Sequence, residues 1–421
     1  MSSREHRVPL PNSSYVSEVK RTCSALRESQ KIEVSTIVIK RLLFSPSFCS
    51  SFKRVSGYHG LNFPLIFPSV LSEVNFLSVL SLLNFGSGYR VPLHRQTGRG
   101  AWDGIRALMF GLYLSSSTGQ GDLLSAKGMQ TISEQQIADL MSINLYVEQP
   151  HSGIPGMSIS TLGGPLYDFV KLIATTLRET GQILEDLGDP NLGTFVVRSL
   201  REVDVANNSA DPNAGVDVIL SKLVGAFPAF RDMAMIDEQP VYCFKKALFL
   251  IHAIVIRFGN SNMPPFPLPN SSQIPVFTDN VLPSILVHLG VVDLSRSTAH
   301  GLHAIFPDAS DKAKVNSRLA LPPPLPNPHP QTGPDSEKSL PTEGPVLNEE
   351  QAYILRAAAL DACERIVQVA RSLDENCLKA DQKWIQNITL PELDLWLWAV
   401  AKDRADYRAL ERFVLRDTVF F

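Results

Sequence analysis

Apolar residues in this chain recur at helical spacing from one end to the other, and almost nowhere do they alternate as a half-buried strand requires. Residues 102–114 repeat them at Ile105, Leu108, Met109 and Leu112. Residues 216–227 do so at Val216, Ile219, Leu220, Leu223 and Val224, again tracing one helical face. Further helices are expected over 16–26, 34–43, 71–83, 167–187, 239–258, 281–289, 349–373 and 390–402. Gly188 and Gly290 should end two of them, with Asp279 or Asn280 placed to cap the start of 281–289. Thr389 and Glu392 have capping-box spacing around Pro391. Helices must bury their stripes on one another, and 44% of the residues are apolar, so the expected class is all-α or nearly so.

The 421 residues show no repeat and no internal boundary. A single domain is expected over 31–421, behind a frayed segment over 1–30. Two stretches are too rich in Pro, Asn and Ser for regular structure. Residues 264–275 read as an irregular loop, and 309–345, containing PPPLPNPHPQTGPDSEKSLPTEGP, as a disordered surface insertion.

Lys and Arg number 39 against 42 Asp and Glu, a net charge of −3 that argues against a surface coating duplex nucleic acid. No stable nucleic-acid complex is expected, and any link to nucleic acid should involve a piece as small as a nucleotide. Cys23, Cys49, Cys243, Cys363 and Cys377 are odd in number and form no CxxC pair, which disfavours a disulfide framework or zinc site and fits a reducing compartment. The longest apolar run, 247–256, holds His252 and falls short of the roughly 18 residues that span a bilayer. MSSREHRVPLPNSS lacks an apolar signal core, and Glu5, Glu18, Glu28 and Glu33 disfavour a transit peptide. A cytoplasmic location is expected, with the nucleus as a second compartment and no membrane association.

Polar residues among apolar ones mark candidate chemistry, and singly each has a structural alternative. The Gly-Ser-Gly of NFGSGYR (84–90) lacks the third glycine of a dinucleotide fingerprint and the Gly-Lys-Ser/Thr of a P-loop, so it reads as a helix-to-helix turn. With a second Gly-rich turn, GRGAW (98–102), it makes Phe85, Tyr89 and Trp102 either core aromatics or a wall on which a base stacks. His300 and His303 have no cysteine or carboxylate at ligand spacing, so no metal is expected there. GxSxG, HExxH, EF-hand and kinase signatures do not occur.

Lys245 and Lys246 stand at the mouth of an apolar run, where a lysine must snorkel, pair with a carboxylate or contact an anion. Asp279, between Phe277 and Leu282, is either an N-cap or a charged group in a site. Asp394, among Leu393, Leu395, Trp396 and Leu397, is either satisfied structurally or reads the polar edge of a ligand.

Taken together, PVYCFKKALFLIHAI, IPVFTDNVLPSILVHLGVV, LPELDLWLWAVAKD and the aromatic run Val419, Phe420 and Phe421 resemble the queuosine salvage proteins, a family of queuosine 5′-phosphate N-glycosylase/hydrolases. LLNFGSGYR, GRGAWDGI, LRETGQIL and FPAFRDMAMIDEQPVY extend the resemblance over about 71–421, and NFGSGYR with RGAW is similar to the fungal branch. Residues 141–164 and 309–345 look like lineage additions.

The resemblance implies a compact helical domain similar to the core of helix-hairpin-helix DNA glycosylases. The implied reaction is hydrolysis of queuosine 5′-monophosphate to queuine and ribose 5-phosphate, with queuine passing to tRNA-guanine transglycosylase and no cofactor or metal required. By motif, Asp279 in FTDN and Lys245 in FKKA match the catalytic aspartate and lysine. Asp394 matches an acid at the base edge, and Phe85, Trp102, Phe277, Lys246 and Arg416 complete the expected substrate-binding set. Asn280 stands where many members carry Tyr. The competing expectation is a non-catalytic helical protein that binds tRNA or a partner, for which Asp279 would be dispensable.

Overall fold

The computed structural model describes residues 8–56, 61, 63–117, 121–151, 153–207, 209–320 and 341–421. Helices dominate them, joined by three two-stranded antiparallel ladders. At the centre runs the Glu349–Arg371 helix, opened by a reciprocal capping box between Asn348 and Gln351. Its middle, from Ala352 to Cys363, is buried on all sides, and alanines at 352, 357, 358, 359 and 362 let neighbours approach closely. Against it pack the helices Tyr15–Ser29, Thr36–Leu43, Val281–His288 and Leu390–Asp403. A second layer joins Lys245–Phe258 to Val70–Leu82 and Ala214–Ala226.

Three features depart from the pattern read in the sequence. The helix expected over 16–26 forms, as Tyr15–Ser29, but it does not belong to a frayed segment, because its face of Val16, Val19, Cys23 and Leu26 is buried in the core. The expected helix over 239–258 begins only at Lys245. Before it, Gln239–Tyr242 pairs antiparallel with Met233–Ile236 across a turn in which Asp237 and Glu238 both take positive φ, as a tight hairpin demands. Pro240 has no N–H for a helical bond and Asp232 supplies the cap for Lys245, so helix cannot extend backward.

The third departure lies at the start of the 309–345 stretch, where Lys312–Ala320 is helical because its Pro-free sequence places Val315 and Leu319 on one buried face. Residues 321–340 of the Pro-rich stretch lie outside the described residues. Residues 141–164 hold an exposed hairpin, Tyr146–Pro150 with Ser158–Leu162.

Candidate active site

The Val281–His288 and Leu390–Asp403 helices pack side by side, and this contact brings Asp279 and Asp394 into one cleft. Asp279 lies just before its helix, and its Oδ1 accepts the Val281 N–H at 2.7 Å. That bond occupies one oxygen and fixes the carboxylate. Asn280, the formal N-cap, turns its side chain away and donates to the Phe413 carbonyl at 2.8 Å. Asp394 sits one turn into a helix opened by the Thr389–Glu392 capping box and is 5% exposed. Its Oδ1 accepts the Phe277 N–H at 2.7 Å, which ties the strand of chain before Asp279 to the second acid.

Lys245 enters from the N-terminus of its own helix. Its Nζ donates to the Asn84 carbonyl at 2.7 Å and to Asn84 Oδ1 at 3.3 Å. Burial pulls its pKa down to about 8, opposed chiefly by the negative charge of Asp279. Burial likewise pushes Asp394 up to about 7, against the Phe277 N–H and Lys245, which favour its ionised form. The cleft thus holds two carboxylates and a cation, with one acid poised to exchange its proton near neutrality.

Aromatic rings wall this group. The cleft encloses about 590 Å³ open to solvent, and Phe85, Trp102, Phe249, Phe277, Trp398 and Phe421 line it. Trp102 meets Phe249 edge-on at 5.7 Å and Trp398 at 6.4 Å. Two polar atoms on the wall, Trp102 Nε1 and Ser87 Oγ, are buried and unpartnered among the described residues, so the wall offers hydrogen bonds that the fold does not consume.

Six of the eight residues singled out in the sequence therefore converge: Asp279, Lys245, Phe85, Trp102, Phe277 and Asp394. Phe85 is only 3% exposed, and its ring stands perpendicular to that of Phe169. Lys246 points elsewhere, because neighbours on a helix diverge by roughly 100°. Its Nζ donates to the Leu82 carbonyl at 2.8 Å and lies 5.1 Å from the centre of the Phe85 ring. Arg416 also stays out of the cleft, with its guanidinium paired to Glu343 and donating to the Gly88 carbonyl.

Residues not anticipated from sequence hold the site in place. Arg356, buried on the central helix, donates through Nη1 and Nη2 to the two oxygens of Asp232 at 2.8 and 2.6 Å. Its Nε donates to the Thr278 carbonyl at 3.0 Å, next to Asp279. Tyr353 donates to Asp232 Oδ1 at 2.9 Å, and Asp232 Oδ2 accepts the Lys245 N–H at 3.0 Å. One buried ion pair thus fixes the backbone beside both Asp279 and Lys245. The Arg356 guanidinium also lies 4.2 Å from the centre of the Phe421 ring, and Gly86 N–H donates to the Phe421 main-chain oxygen.

Comparison with known proteins bears on what such a cleft does. Residues 71–305, which are more than half of the chain, match the family described as queuosine salvage protein. A stretch of 119 residues is 30% identical to a protein named queuosine 5′-phosphate N-glycosylase/hydrolase from Sphaerobacter thermophilus. That stretch takes in 28% of this chain and 32% of the relative, so the match spans about a third of the relative's length.

Proposed function

The chain belongs to the queuosine salvage protein family, and we propose that it hydrolyses the N-glycosidic bond of queuosine 5′-monophosphate, giving queuine and ribose 5-phosphate. The observation that carries this reading is the meeting of Asp279, Asp394 and Lys245 in one aromatic-walled cleft. Cleavage of an N-glycoside passes through a ribose with oxocarbenium character. A carboxylate held rigid by the Val281 N–H is suited to stabilise that cation and orient water toward it. Asp279 takes this role.

The leaving base needs the opposite help. A 7-deazapurine has no N7 to accept a proton, so its departing negative charge must be met by hydrogen bonds or a proton elsewhere. Asp394, held near 7 by burial, is partly neutral at physiological pH and then donates as well as accepts. Lys245 balances the paired carboxylates and, tethered to Asn84, is held where its charge bears on both. Trp102 and Trp398 supply ring faces and edges for the base.

Two expectations follow here. Trp102→Ala removes a stacking surface and should weaken substrate binding by about 1–3 kcal/mol, read as a rise in KM at near-constant melting temperature. A loss of stability with normal binding by the folded fraction would return Trp102 to the core. Asp394→Asn keeps the Phe277 N–H bond but removes a carboxyl whose pKa is raised on folding. Between its ordinary value and about 7 the unfolded chain has released this proton while the folded chain retains it. Wild-type stability therefore falls as pH rises through that window. The variant should melt higher than wild type at pH 8, match it near pH 4 and lose base release. Equal melting at pH 8 would contradict the buried acid.

The reading as a whole is tested by offering the purified protein excess queuosine 5′-monophosphate and following free queuine by mass spectrometry. Nucleotide bound one-to-one and left intact would favour a carrier. Passage of queuine to tRNA-guanine transglycosylase belongs to the same proposal.

A further inference from the structure

The hairpin of Tyr146–Pro150 and Ser158–Leu162 is a two-stranded ladder with no further strand beside it among the described residues. Its hydrogen-bond phase fixes which groups each strand leaves over. The His151 N–H donates to the Met157 carbonyl at 2.8 Å, and the Gly163 N–H to the Leu145 carbonyl at 3.0 Å. Bonded and non-bonded pairs alternate in an antiparallel ladder, so between those ends the bonded pairs are Val147 with Thr161 and Gln149 with Ile159. The main-chain groups of Tyr146, Glu148 and Pro150 therefore point out of one edge. Those of Ser158, Ser160 and Leu162 point out of the other.

The two edges differ in kind. On the first, Pro150 has no N–H, Glu148 carries a charge, and the Tyr146 N–H is taken up by Asn144 Oδ1 at 3.0 Å. These are the means by which a sheet edge refuses a further strand. The second edge has none of them. No partner of the Ser158, Ser160 or Leu162 N–H is found among the described residues. Residues 153–163 contain no charged side chain. Tyr146, Ile154, Met157, Ile159 and Leu162, on or beside this ladder, are all exposed apolar side chains. A ladder of this kind needs additional strands to be stable in its own right, and only the second edge is open to them.

We propose that the Ser158–Leu162 strand pairs antiparallel with the same strand of a second copy of this chain, about a two-fold axis at Ser160, to form a four-stranded sheet. The pattern of this edge is what selects a second copy. With Ser160 opposite Ser160 of the partner subunit, Ser158 faces Leu162 of the partner subunit, and the short serine leaves that leucine room. Ser158, Ser160 and Leu162 each then exchange main-chain hydrogen bonds with the residue opposite, using groups the hairpin leaves over. On the other face Ile159 meets Thr161 of the partner subunit, a β-branched pair. The ladder's charged residue, Glu148, lies on the outer strands. There the two copies of it stand about 14 Å apart, three strand spacings and beyond the Debye length at physiological salt. No like charges are forced together, and the uncharged edge offers nothing to attract an acidic or basic peptide instead. A pair of five-residue strands buries less than the roughly 1,200–2,000 Å² of stable interfaces, so the dimer should dissociate on dilution.

The test is sedimentation velocity on the full chain from low to high micromolar concentration, where wild type should pass from monomer to dimer. Ser160→Lys and Ser160→Glu each set like charges directly opposite across the two-fold axis. Each should weaken dimerisation about 10-fold or more, and an equimolar mixture of the two should restore it as a heterodimer. Ser160→Cys gives an independent reading that leaves the strand uncharged. The Cα atoms of a bonded pair lie about 5.5 Å apart, within disulfide reach, so mild oxidation should link that variant into a covalent dimer. Wild type, whose five cysteines lie elsewhere in the chain, should stay unlinked under the same treatment. Wild type that remains monomeric throughout, dimerisation unchanged by both charged variants, charged variants that stay apart when mixed, or no link through Ser160→Cys would each overturn the pairing.

Discussion

Asp279→Asn should lower the rate of base release by about 100-fold or more, the scale of losing one preorganised electrostatic stabiliser, while the melting temperature stays within a few degrees of wild type. The separation of rate from stability follows from what the side chain does in the fold. Its Oδ1 accepts the Val281 N–H, and an asparagine oxygen accepts the same bond. Asn and Asp are about equal at helix starts, so the turn survives. What disappears is the charge facing the cleft. Substrate affinity should change little, because the carboxylate matters most when the ribose becomes cationic. A purely capping Asp279 would leave both quantities near wild type.

The second large effect concerns a residue pair that does not line the cleft. Asp232→Ala should cost about 3–5 kcal/mol of stability, since it strands the Arg356 guanidinium, whose side chain is 0% exposed. It also leaves the Lys245 N–H and the Tyr353 hydroxyl without their acceptor. Replacing both partners, as Asp232→Leu with Arg356→Met, should recover much of the stability because no unpaired charge remains buried. Activity should not recover with it, because Thr278 then loses its Arg356 bond and the start of the Lys245 helix loses its cap. Denaturant midpoints and turnover measured on the single and double variants separate the two roles. If the double variant regains activity along with stability, the pair acts on stability alone.

These two cases also show what the chain discloses before it is folded. Asp279, Lys245 and Asp394 stand out locally, each a charge among apolar neighbours, and that anomaly is visible from spacing alone. The helical periodicity was equally plain, since tertiary packing uses the stripes that the sequence displays. Trp398 was within reach, because it lies four residues after Asp394 and so shares its helical face, whereas Trp396 must point away and bonds Ser51 in the core at 2.8 Å.

Other features had no local mark. Asp232 and Arg356 are 124 residues apart, and nothing near either one announces the partner. The same holds for the start of the Lys245 helix, capped by an aspartate 13 residues upstream across a hairpin. Lys246 illustrates a different limit. Two adjacent lysines look equivalent in sequence, yet helical geometry lets only one of them face the cleft.

On the proposed reading this cleft breaks an N-glycosidic bond and Asp279 drives the step. The most direct measurement supplies queuosine 5′-monophosphate in large excess over enzyme and quantifies queuine and ribose 5-phosphate together, for wild type and Asp279→Asn. Many turnovers by wild type, equal amounts of the two products, and near-complete loss in the variant are the predicted result. Intact nucleotide after prolonged incubation with folded wild type, or equal product from both proteins, would contradict it.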